Sequence, residues 1–173
     1  MPDPKVECIY DKMIDLAKLK PHPLNPNTHP DEQIKRLAII IKYQGWRERI
    51  TVSKRSGFIV KGHARLKAAE ALGCKQAPVE YQDYESEAAE HADMVADNKI
   101  AELAVIDGLK MADILVQLDE LNFNLDLTGM NDEEIQFYID GPTQEPDGEN
   151  TGGGDGEQIV TCPSCGEEFN AKK

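Results

Sequence analysis

The segment spanning residues 58–73 constrains the fold more than any other part of this 173-residue chain. It begins with the apolar run Phe58-Ile59-Val60, which is typical of a short buried strand. Gly62 interrupts this run, and apolar residues then recur at helical spacing as far as Gly73, a residue type that often ends a helix. The segment therefore predicts a strand that turns through a glycine directly into a helix.

Further elements are predicted on both sides of this segment. Apolar residues at helical spacing indicate a helix that ends at Gly45, with Thr28 as its N-cap. A half-buried strand is predicted over residues 50–52 and another strand over residues 78–81, and helices are predicted over residues 85–104 and 109–120. Asn131 and Glu134 have the spacing of a capping box before a last helix. This order is typical of an α+β or α/β fold with a small sheet, and we expect α+β.

The chain divides by composition into five parts. Residues 1–16 form an N-terminal extension, residues 17–120 the main domain, and residues 121–140 a helical extension. Residues 141–157 hold six glycines and five acids, which predicts a flexible acidic linker before a cysteine-containing tail over residues 158–173. Within the main domain, residues 21–30 contain four prolines and are expected to form a fixed, extended loop.

The composition excludes several classes of protein. With 40% hydrophobic and 29% charged residues the chain can bury a core, so full disorder is excluded. No run approaches eighteen apolar residues, and the N-terminus has no apolar signal region, which predicts neither a membrane span nor secretion. Four cysteines do not make a disulfide framework, and we expect a cytoplasmic protein.

The formal charge of −13 is unevenly distributed along the chain. Residues 1–75 carry a net charge of +7 and residues 76–173 a net charge of −20. Residues 35–67, called the basic window below, hold ten basic residues and one acid, Glu48. Such a stretch predicts an anion site, although long charged side chains also merely solvate exposed faces. Trp46 lies in this window, either as a core residue or as a stacking surface for a base.

The turn Lys61-Gly62-His63-Ala64-Arg65 lies within the basic window and has the layout of a phosphate site. Glycine allows the backbone to approach a ligand closely, and the following helix N-terminus offers free N–H groups with a partial positive charge. Arg65 can hold a phosphate through two hydrogen bonds, and His63 can donate a hydrogen bond or transfer a proton. The alternative is a tight turn whose His and Arg are only solvated.

Three boxes of the sequence, within residues 17–120, resemble a known family. They are residues 24–33 (LNPNTHPDEQ) with the helix that follows, residues 59–73 (IVKGHARLKAAEALG) and residues 96–103 (ADNKIAEL). In this order they resemble the N-terminal domain shared by ParB-type partition proteins and sulfiredoxin, often labelled the ParB-like nuclease domain. The chain is most similar to a subgroup found in phage genomes and at the N-terminus of some DNA-modification methyltransferases.

The resemblance implies a nucleotide triphosphate with magnesium as cofactor. It assigns phosphate contact to Gly62, His63, Ala64 and Arg65, beside Lys61. The third box places Asp97 and Asn98 where the family holds the triphosphate and its magnesium, an ion that suits carboxylate and amide oxygens. His63 and Asp97 are then the catalytic candidates. A position on the helix surface or in a local cap is the alternative for Asp97 and Asn98.

Three departures from the family limit what is carried over. Sulfiredoxin needs a nucleophilic cysteine in the second box, where this chain has His63 or Ala64, so sulfinic-acid reduction is not expected. Partition proteins have an arginine in the first box where this chain has Asn27. They also continue into a DNA-reading helix-turn-helix, whereas two acidic helices and a linker follow here, so site-specific partition is not expected.

Cys162-Pro163-Ser164-Cys165-Gly166 has the spacing of half a zinc ribbon. The residues before and after it, 159–161 and 168–169, indicate a strand on each side. Because structural zinc takes four ligands, a second tail in a homodimer or a partner protein would complete the site. Redox use of the two thiols and an unmetallated turn are the alternatives.

Three functions follow from these observations. The first is a nucleotide-handling domain of phage or mobile-element DNA metabolism, which binds, hydrolyses or transfers phosphate at residues 61–65. The second is a non-catalytic adaptor whose basic face touches DNA while the acidic half or the tail recruits a methyltransferase or packaging enzyme. The third is a nuclease, which the family label implies.

Overall fold

The computed structural model describes residues 3–141, 159–161 and 168–170. The chain forms two compact units, Met1–Ala104 and Val105–Lys173. Among the described residues, the first unit contains a five-stranded sheet with three α-helices, and the second contains two α-helices and two paired strands. In the described part of the chain, no helix is both long enough and apolar enough to span a bilayer.

The sheet of the first unit is mixed. Its strands are β1 (Lys12–Asp15), β2 (Lys20–Pro21), β3 (Ile50–Ser53), β4 (Phe58–Lys61) and β5 (Gln76–Gln82), in the order β1-β5-β3-β4-β2. β3 pairs antiparallel with β4 and parallel with β5, β1 pairs antiparallel with β5, and β2 pairs parallel with β4. Sequence periodicity predicted β3, β4 and β5 but not β1 or β2, because every residue of these two outer strands is exposed or half-buried and β2 has only two residues.

β3 differs from the half-buried strand that alternation predicted. All four of its residues are buried, since it is the middle strand of the sheet. Its two polar side chains have buried or half-buried partners: Thr51 Oγ1 donates to Glu80 Oε1 at 2.9 Å, and Ser53 Oγ donates to Glu90 Oε2 at 2.8 Å. The two polar residues of β3 therefore form hydrogen bonds inside the fold and do not define a side of the strand that faces solvent.

The helices of the first unit are α1 (Asp31–Gln44), α2 (His63–Leu72) and α3 (Glu87–Glu102). α1 begins later than predicted: its N-cap is Pro30, whose carbonyl accepts the N–H of Ile34 at 3.2 Å, and not Thr28. The ring of a proline disfavours helical dihedrals in the preceding residue, so the helix cannot extend back through His29 to a cap at Thr28.

The core of the first unit lies between the sheet and its helices, and it includes Ile41, Ile50, Ile59, Leu66 and Val79. Trp46 belongs to it with 1% of its surface exposed, which decides between the two alternatives that the sequence left open: this ring is a core residue and cannot stack on a base. The buried sheet and helices hold the turn between β4 and α2 in a fixed position.

The second unit contains α4 (Gly108–Glu120) and α5 (Asp132–Ile139). The predicted capping box is confirmed at the start of α5, where Glu134 N–H donates to Asn131 Oδ1 and Asn131 N–H to Glu134 Oε2, both at 2.7 Å. Strands β6 (Ile159–Thr161) and β7 (Glu168–Asn170) pair antiparallel, as the two flanks of the cysteine motif predicted. Cys162 and Cys165 themselves lie outside the described residues.

Candidate functional site

The turn between β4 and α2 has a backbone that requires glycine. Gly62 has a φ of +93°, in the left-handed region, and its carbonyl accepts the N–H of Leu66 at 3.1 Å to open the helix. A Cβ at this position would lie 3.2 Å from Arg65 Nη1 and 3.4 Å from Ile50 Cα. The first N–H groups of α2 thus lie beside the end of β4 without partners inside the helix.

A cleft of about 210 Å³ opens at this turn. Its lining contains all seven residues that the sequence analysis assigned to phosphate and magnesium in the main domain: Lys61, Gly62, His63, Ala64, Arg65, Asp97 and Asn98. The proline-rich loop contributes Asn25, Asn27 and His29, and Leu37 and Val60 complete the wall. β4, α2, α3 and the loop before α1 therefore meet at one concave surface.

Arg65 is held at the cleft by the residue that immediately precedes β3. Its Nη1 donates to the carbonyl oxygen of Arg49 at 3.2 Å. Arg49 in turn makes a two-nitrogen ion pair with Glu80 Oε2, at 2.6 Å from Nε and 2.5 Å from Nη2. This chain of contacts orients a planar guanidinium with five N–H donors, one of which serves the Arg49 carbonyl. The rest of the fork suits a phosphate.

His63 is the first residue of α2 and is buried. Its Nε2 accepts the backbone N–H of His22 at 3.1 Å. Burial, and after it the neighbouring basic side chains of His29, His22 and Lys67, lower the pKa of His63 to about 4. The imidazole is therefore neutral near neutral pH with its proton on Nδ1, so it offers one hydrogen-bond donor and no charge to a ligand.

A buried carboxylate lies behind His22, and sequence reasoning missed it. Glu90 on α3 is 1% exposed and accepts hydrogen bonds from Ser53 Oγ at 2.8 Å and Ser56 Oγ at 2.5 Å. His22 Nδ1 accepts the N–H of Leu24, which leaves its Nε2 proton directed at Glu90 Oε1, 3.6 Å away. Burial alone would raise the pKa of Glu90, but the hydrogen bonds from Ser56 and Ser53, together with the nearby basic side chains of His22 and Arg55, outweigh burial and lower the pKa.

The helical spacing of Glu90 offered one signal for its burial. Glu90 lies four residues before Met94, which is also buried, so the two share a face of α3. The sequence analysis did not single out Glu90. Its hydroxyl partners come from β3 and the β3–β4 turn, far away in sequence, and nothing local in the sequence signalled them.

Lys61 has carboxylate partners on α3. Its Nζ lies 3.0 Å from Asp93 Oδ1 and 3.7 Å from Asp97 Oδ1. Asp93 also accepts the hydroxyl of Tyr84 at 2.7 Å, and these hydrogen bonds, from Tyr84 and then Lys61, outweigh burial and lower its pKa. Lys61 is thus a cation shared between the cleft and α3.

Asp97 and Asn98 offer a metal ion few ligands by themselves. Asp97 pairs with Lys61, and Asn98 Nδ2 donates to the Met94 carbonyl at 2.9 Å, which orients its amide. Across the described residues, no group of three or more His, Cys, Asp or Glu side chains is arranged to hold a metal. A magnesium ion at this edge fits only as one that takes most of its oxygens from phosphate and water.

The basic window is partly neutralised in the folded chain. At least four of its ten cations lie within 4 Å of carboxylates, and most of those carboxylates belong to β5 or α3. These cations are Arg36, Arg49, Arg55 and Lys61, and their partners are Glu32, Glu48, Glu80, Glu87, Glu90, Asp93 and Asp97. Charge counted along the sequence therefore overstated the positive potential around the turn.

His29 lies in the cleft wall just before α1. Its Nδ1 lies 3.0 Å from Gln33 Oε1. Its Nε2 is buried and has no hydrogen-bond partner within the part of the chain that the structure describes. The sequence analysis did not assign a role to this histidine.

The match to a known family is carried by the unit that contains this cleft. The family model described as the ParB N-terminal domain matches residues 4–104. The ParB-like nuclease domain-containing protein YnaK of Escherichia coli (strain K12) is 38% identical over 75 residues, which cover 43% of this chain and 82% of that protein. The chain belongs to the ParB N-terminal domain family. The resemblance seen in the three sequence boxes is thereby confirmed.

This ParB N-terminal domain also has structural relatives. The C-terminally truncated chromosome-partitioning protein ParB from Caulobacter crescentus, solved in complex with CTP-γ-S, matches with a TM-score of 0.55 at 19% identity and covers 75% of this chain and 84% of that one. Sulfiredoxin from Arabidopsis thaliana matches with a TM-score of 0.40 at 20% identity, over 46% of this chain and 92% of that one. The first similarity confirms the fold class.

Proposed function

We propose that the cleft at the β4–α2 turn binds the phosphate groups of a nucleotide. The observation that supports this most is the convergence of the glycine turn, the helix N-terminus, Arg65 and the third-box residues on one cleft. A helix N-terminus with a flanking arginine is a favourable environment for a phosphate dianion. The Caulobacter crescentus relative was solved with CTP-γ-S, which makes a nucleoside triphosphate the first ligand to test.

Each residue of the turn has a distinct part in this proposal. Gly62 gives the phosphate access to the backbone, and the N–H groups of His63 and Ala64 are donors at the helix start. Arg65 supplies a positively charged guanidinium that can donate two parallel hydrogen bonds to one phosphate. His63, being neutral, adds one hydrogen bond from Nδ1. Lys61 exchanges its contact with Asp97 for a phosphate oxygen, and Asp97 and Asn98 then become available to a magnesium ion carried by the nucleotide.

Turnover is a separate proposal from binding. His63 accepts a backbone N–H at Nε2, so it is a poor general base in this arrangement. Asp97 is the remaining catalytic candidate. Release of inorganic phosphate from a bound triphosphate, lost in Asp97→Asn and kept in wild type, would support hydrolysis, in which water attacks the terminal phosphorus and the diphosphate leaves.

DNA contact is the second candidate function, favoured by the nuclease-domain name of the Escherichia coli relative and by the exposed cations. The exposed basic residues of the basic window are Lys35, Lys42, Arg47, Lys54, Arg55 and Lys67. A DNA-binding adaptor would use these residues and recruit a methyltransferase or packaging protein by another surface. Its signature is an affinity for DNA that falls steeply with salt.

We further propose that Cys162 and Cys165 bind zinc together with a second copy of the chain. The hairpin strands β6 and β7 on either side of the two cysteines are consistent with a zinc-ribbon half. Two such halves supply four thiolates, the number a structural site needs.

A thermal-shift screen tests the nucleotide proposal. Common nucleoside triphosphates are added with magnesium to wild type, Arg65→Ala and Arg47→Ala. Arg47 is the matched control because it is exposed and is not part of the cleft lining. A nucleotide that binds the native state raises the melting temperature of wild type and Arg47→Ala, and the rise is lost in Arg65→Ala. An equal rise in all three proteins, or none with any nucleotide, would contradict the proposal.

A further inference from the structure

Asp93 and Tyr84 form a hydrogen-bonded pair beside the cleft that the proposed function does not use. Asp93 lies on α3, and its side chain is 35% exposed. Its Oδ2 accepts the hydroxyl of Tyr84 at 2.7 Å, and its Oδ1 lies 3.0 Å from Lys61 Nζ. Both oxygens of this carboxylate therefore have a defined partner, and one of those partners is a cation of the cleft lining.

The protonation states of this pair are fixed near neutral pH. Burial alone would raise the pKa of Asp93, but hydrogen bonds from Tyr84 and Lys61 outweigh burial and lower the pKa, so the carboxylate is ionised. Burial, and after it the hydrogen bond to Asp93, raise the pKa of Tyr84, so the phenol keeps its proton and remains a donor. Asp93 thus presents a full negative charge to Lys61, in an orientation that Tyr84 fixes.

Lys61 is held more closely by Asp93 than by Asp97. Its Nζ lies 3.0 Å from Asp93 Oδ1 and 3.7 Å from Asp97 Oδ1. The two acids are four residues apart on α3, so they share one face of the helix. One ammonium and two carboxylates sum to a formal charge of −1. In the free protein, Lys61 therefore adds no net positive charge to this side of the cleft.

Asp93 differs from Asp97 in its position relative to the cleft. Among the described residues, the lining includes Lys61 and Asp97 but not Asp93. The effect of Asp93 on a ligand in the cleft therefore passes through Lys61. An ammonium is a point charge on a flexible stem, and it contacts a phosphate without a fixed orientation. The Asp93 carboxylate consequently competes with the ligand for Lys61 and does not prepare Lys61 for binding.

We propose that Asp93 is a positioning residue that holds Lys61 on α3 in the free protein and thereby lowers the affinity of the cleft for phosphate. On binding, the ammonium of Lys61 turns from the two carboxylates toward a phosphate oxygen. Its contact with the ligand then replaces an existing ion pair and is not simply added to it. This inference rests on the proposed function, and it adds a residue that sets the affinity without touching the ligand.

A double-mutant cycle on Lys61 and Asp93 tests this restraint. CTP and inorganic triphosphate, each with magnesium, are titrated by isothermal calorimetry into wild type, Asp93→Asn, Lys61→Met and the double variant. Asparagine keeps the size of the side chain and an oxygen that accepts the Tyr84 hydroxyl, but it removes the charge. We expect Asp93→Asn to bind about two- to fivefold more tightly than wild type, the range for removing a partly exposed, competing ion pair.

The Lys61→Met background separates an action through Lys61 from any other effect of Asp93. Lys61→Met is expected to bind more weakly than wild type, because it lacks the ammonium. In this background, the further change Asp93→Asn should alter the affinity by less than about twofold, so the two substitutions are not additive. A structural role of Asp93, or direct repulsion between Asp93 and the ligand, would give the same fold-change in both backgrounds.

Glu102→Gln is the matched control for the loss of an acid on α3. Glu102 Oε2 lies 3.0 Å from Lys99 Nζ, the same separation as between Asp93 and Lys61, and this pair lies outside the cleft lining. We expect this variant to bind as wild type does. Melting temperatures of the free proteins establish that each variant is folded.

The chemical shift of the Asp93 carboxyl carbon gives a second measurement, which needs no variant to be stable. We expect this signal to move when CTP is added to wild type, because Lys61 leaves the carboxylate. In Lys61→Met, the same signal should move much less on ligand binding.

The outcomes distinguish this inference from the proposed function. Weaker binding in Asp93→Asn, or equal tightening in the wild-type and Lys61→Met backgrounds, overturns the inference and leaves the nucleotide proposal standing. An Asp93 carboxyl signal that stays unmoved while wild type binds the ligand has the same consequence. Absence of binding of both CTP and inorganic triphosphate to wild type and to Asp93→Asn contradicts the inference and the proposed function together.

Discussion

Gly62 determines the geometry of the cleft at the scale of a single residue. Its φ of +93° lets β4 turn into α2 without an intervening loop, and its missing side chain leaves room for the guanidinium of Arg65. The sequence alone indicated a glycine here for close approach to a ligand. Its second role is to leave room for the guanidinium of Arg65. This role depends on a side-chain contact that forms only in the folded chain.

Gly62→Ala is expected to destabilise the protein and to weaken ligand binding. A left-handed backbone costs a non-glycine residue about 1–2 kcal/mol, and the new Cβ would press on Arg65 Nη1 at 3.2 Å. Gly73→Ala is the matched control, because Gly73 ends the same helix with a φ of +71° and a Cβ added there would meet no atom within 4 Å.

Chemical denaturation and ligand titration together measure the two effects. Both variants should lose a similar free energy of unfolding from the backbone strain, and only Gly62→Ala should also lose ligand affinity. Equal affinities in the two variants would show that the spacing at Arg65 is irrelevant to binding.

At the residue scale, the sequence predicted the glycine turn at residues 61–65 for physical reasons. Residues 61–65 are contiguous, so any fold that makes the turn keeps them together, and the backbone pattern is readable from glycine and helical spacing. His22, His29 and Glu90 come from distant segments. Their burial and their hydrogen-bond partners follow from tertiary packing, which periodicity in one sequence does not encode.

At the scale of elements, α3 is attached to the sheet through buried polar groups as well as apolar ones. Glu90 bonds to Ser53 on β3 and to Ser56 in the following turn, and Lys61 on β4 pairs with Asp93. Sequence reasoning predicted the helix and its approximate bounds from its pattern. It gave no sign that an acid of this helix is buried, because a carboxylate is rarely buried unless it is paired.

Glu90→Gln is expected to lower the free energy of unfolding by about 2 kcal/mol, since it replaces a charged, buried acceptor of two hydroxyl hydrogen bonds. Glu87→Gln, one turn earlier on α3 with a side chain that is 67% exposed, should change it by less than about 0.5 kcal/mol. Urea denaturation of the three proteins at neutral pH measures both values. Equal stability of all three would show that the buried carboxylate does not hold α3 in place.

The Glu90 contribution also has a defined dependence on pH. The pKa of Glu90 in the folded chain lies below its ordinary value of 4.5, so its stabilisation is fully present above that value and is lost as the pH falls through the lower, folded pKa. Repeating the urea series in acid should therefore narrow the gap between wild type and Glu90→Gln. A gap that stayed constant down to the acid transition would contradict the assigned pKa shift.

Across the whole molecule, charges that are separated along the sequence lie close together in the fold. The separation into a basic first half and an acidic second half predicted an anion site in the basic window around the turn. In the folded unit, Glu80, Glu90, Asp93 and Asp97 from the acidic half lie against cations of the basic window. The cleft is therefore a local anion site rather than part of a broad basic face, which favours a small ligand over wrapped nucleic acid.

The cysteine tail gives a prediction for the assembly of the whole chain. If two tails share one metal, purified protein contains about one zinc per two chains, a four-thiolate site. Elemental analysis combined with light scattering is expected to show a dimer that loses its zinc in Cys162→Ser, while Cys8→Ser, in the first unit, keeps it. Zinc-free wild-type protein, or a monomer that holds a full equivalent of zinc, would contradict the shared site.

The most direct test of the central claim is the map of backbone amide chemical shifts when CTP is added with magnesium to the isotope-labelled chain. We predict that the largest changes cluster at residues 61–65, with smaller ones at residues 25–29 and 97–98, where the cleft lining lies. The same titration of Arg65→Ala should leave these signals unmoved, and Arg47→Ala should reproduce the wild-type pattern. Shifts confined to other parts of the chain, or no shifts at all, would contradict the assignment of this cleft as a nucleotide site.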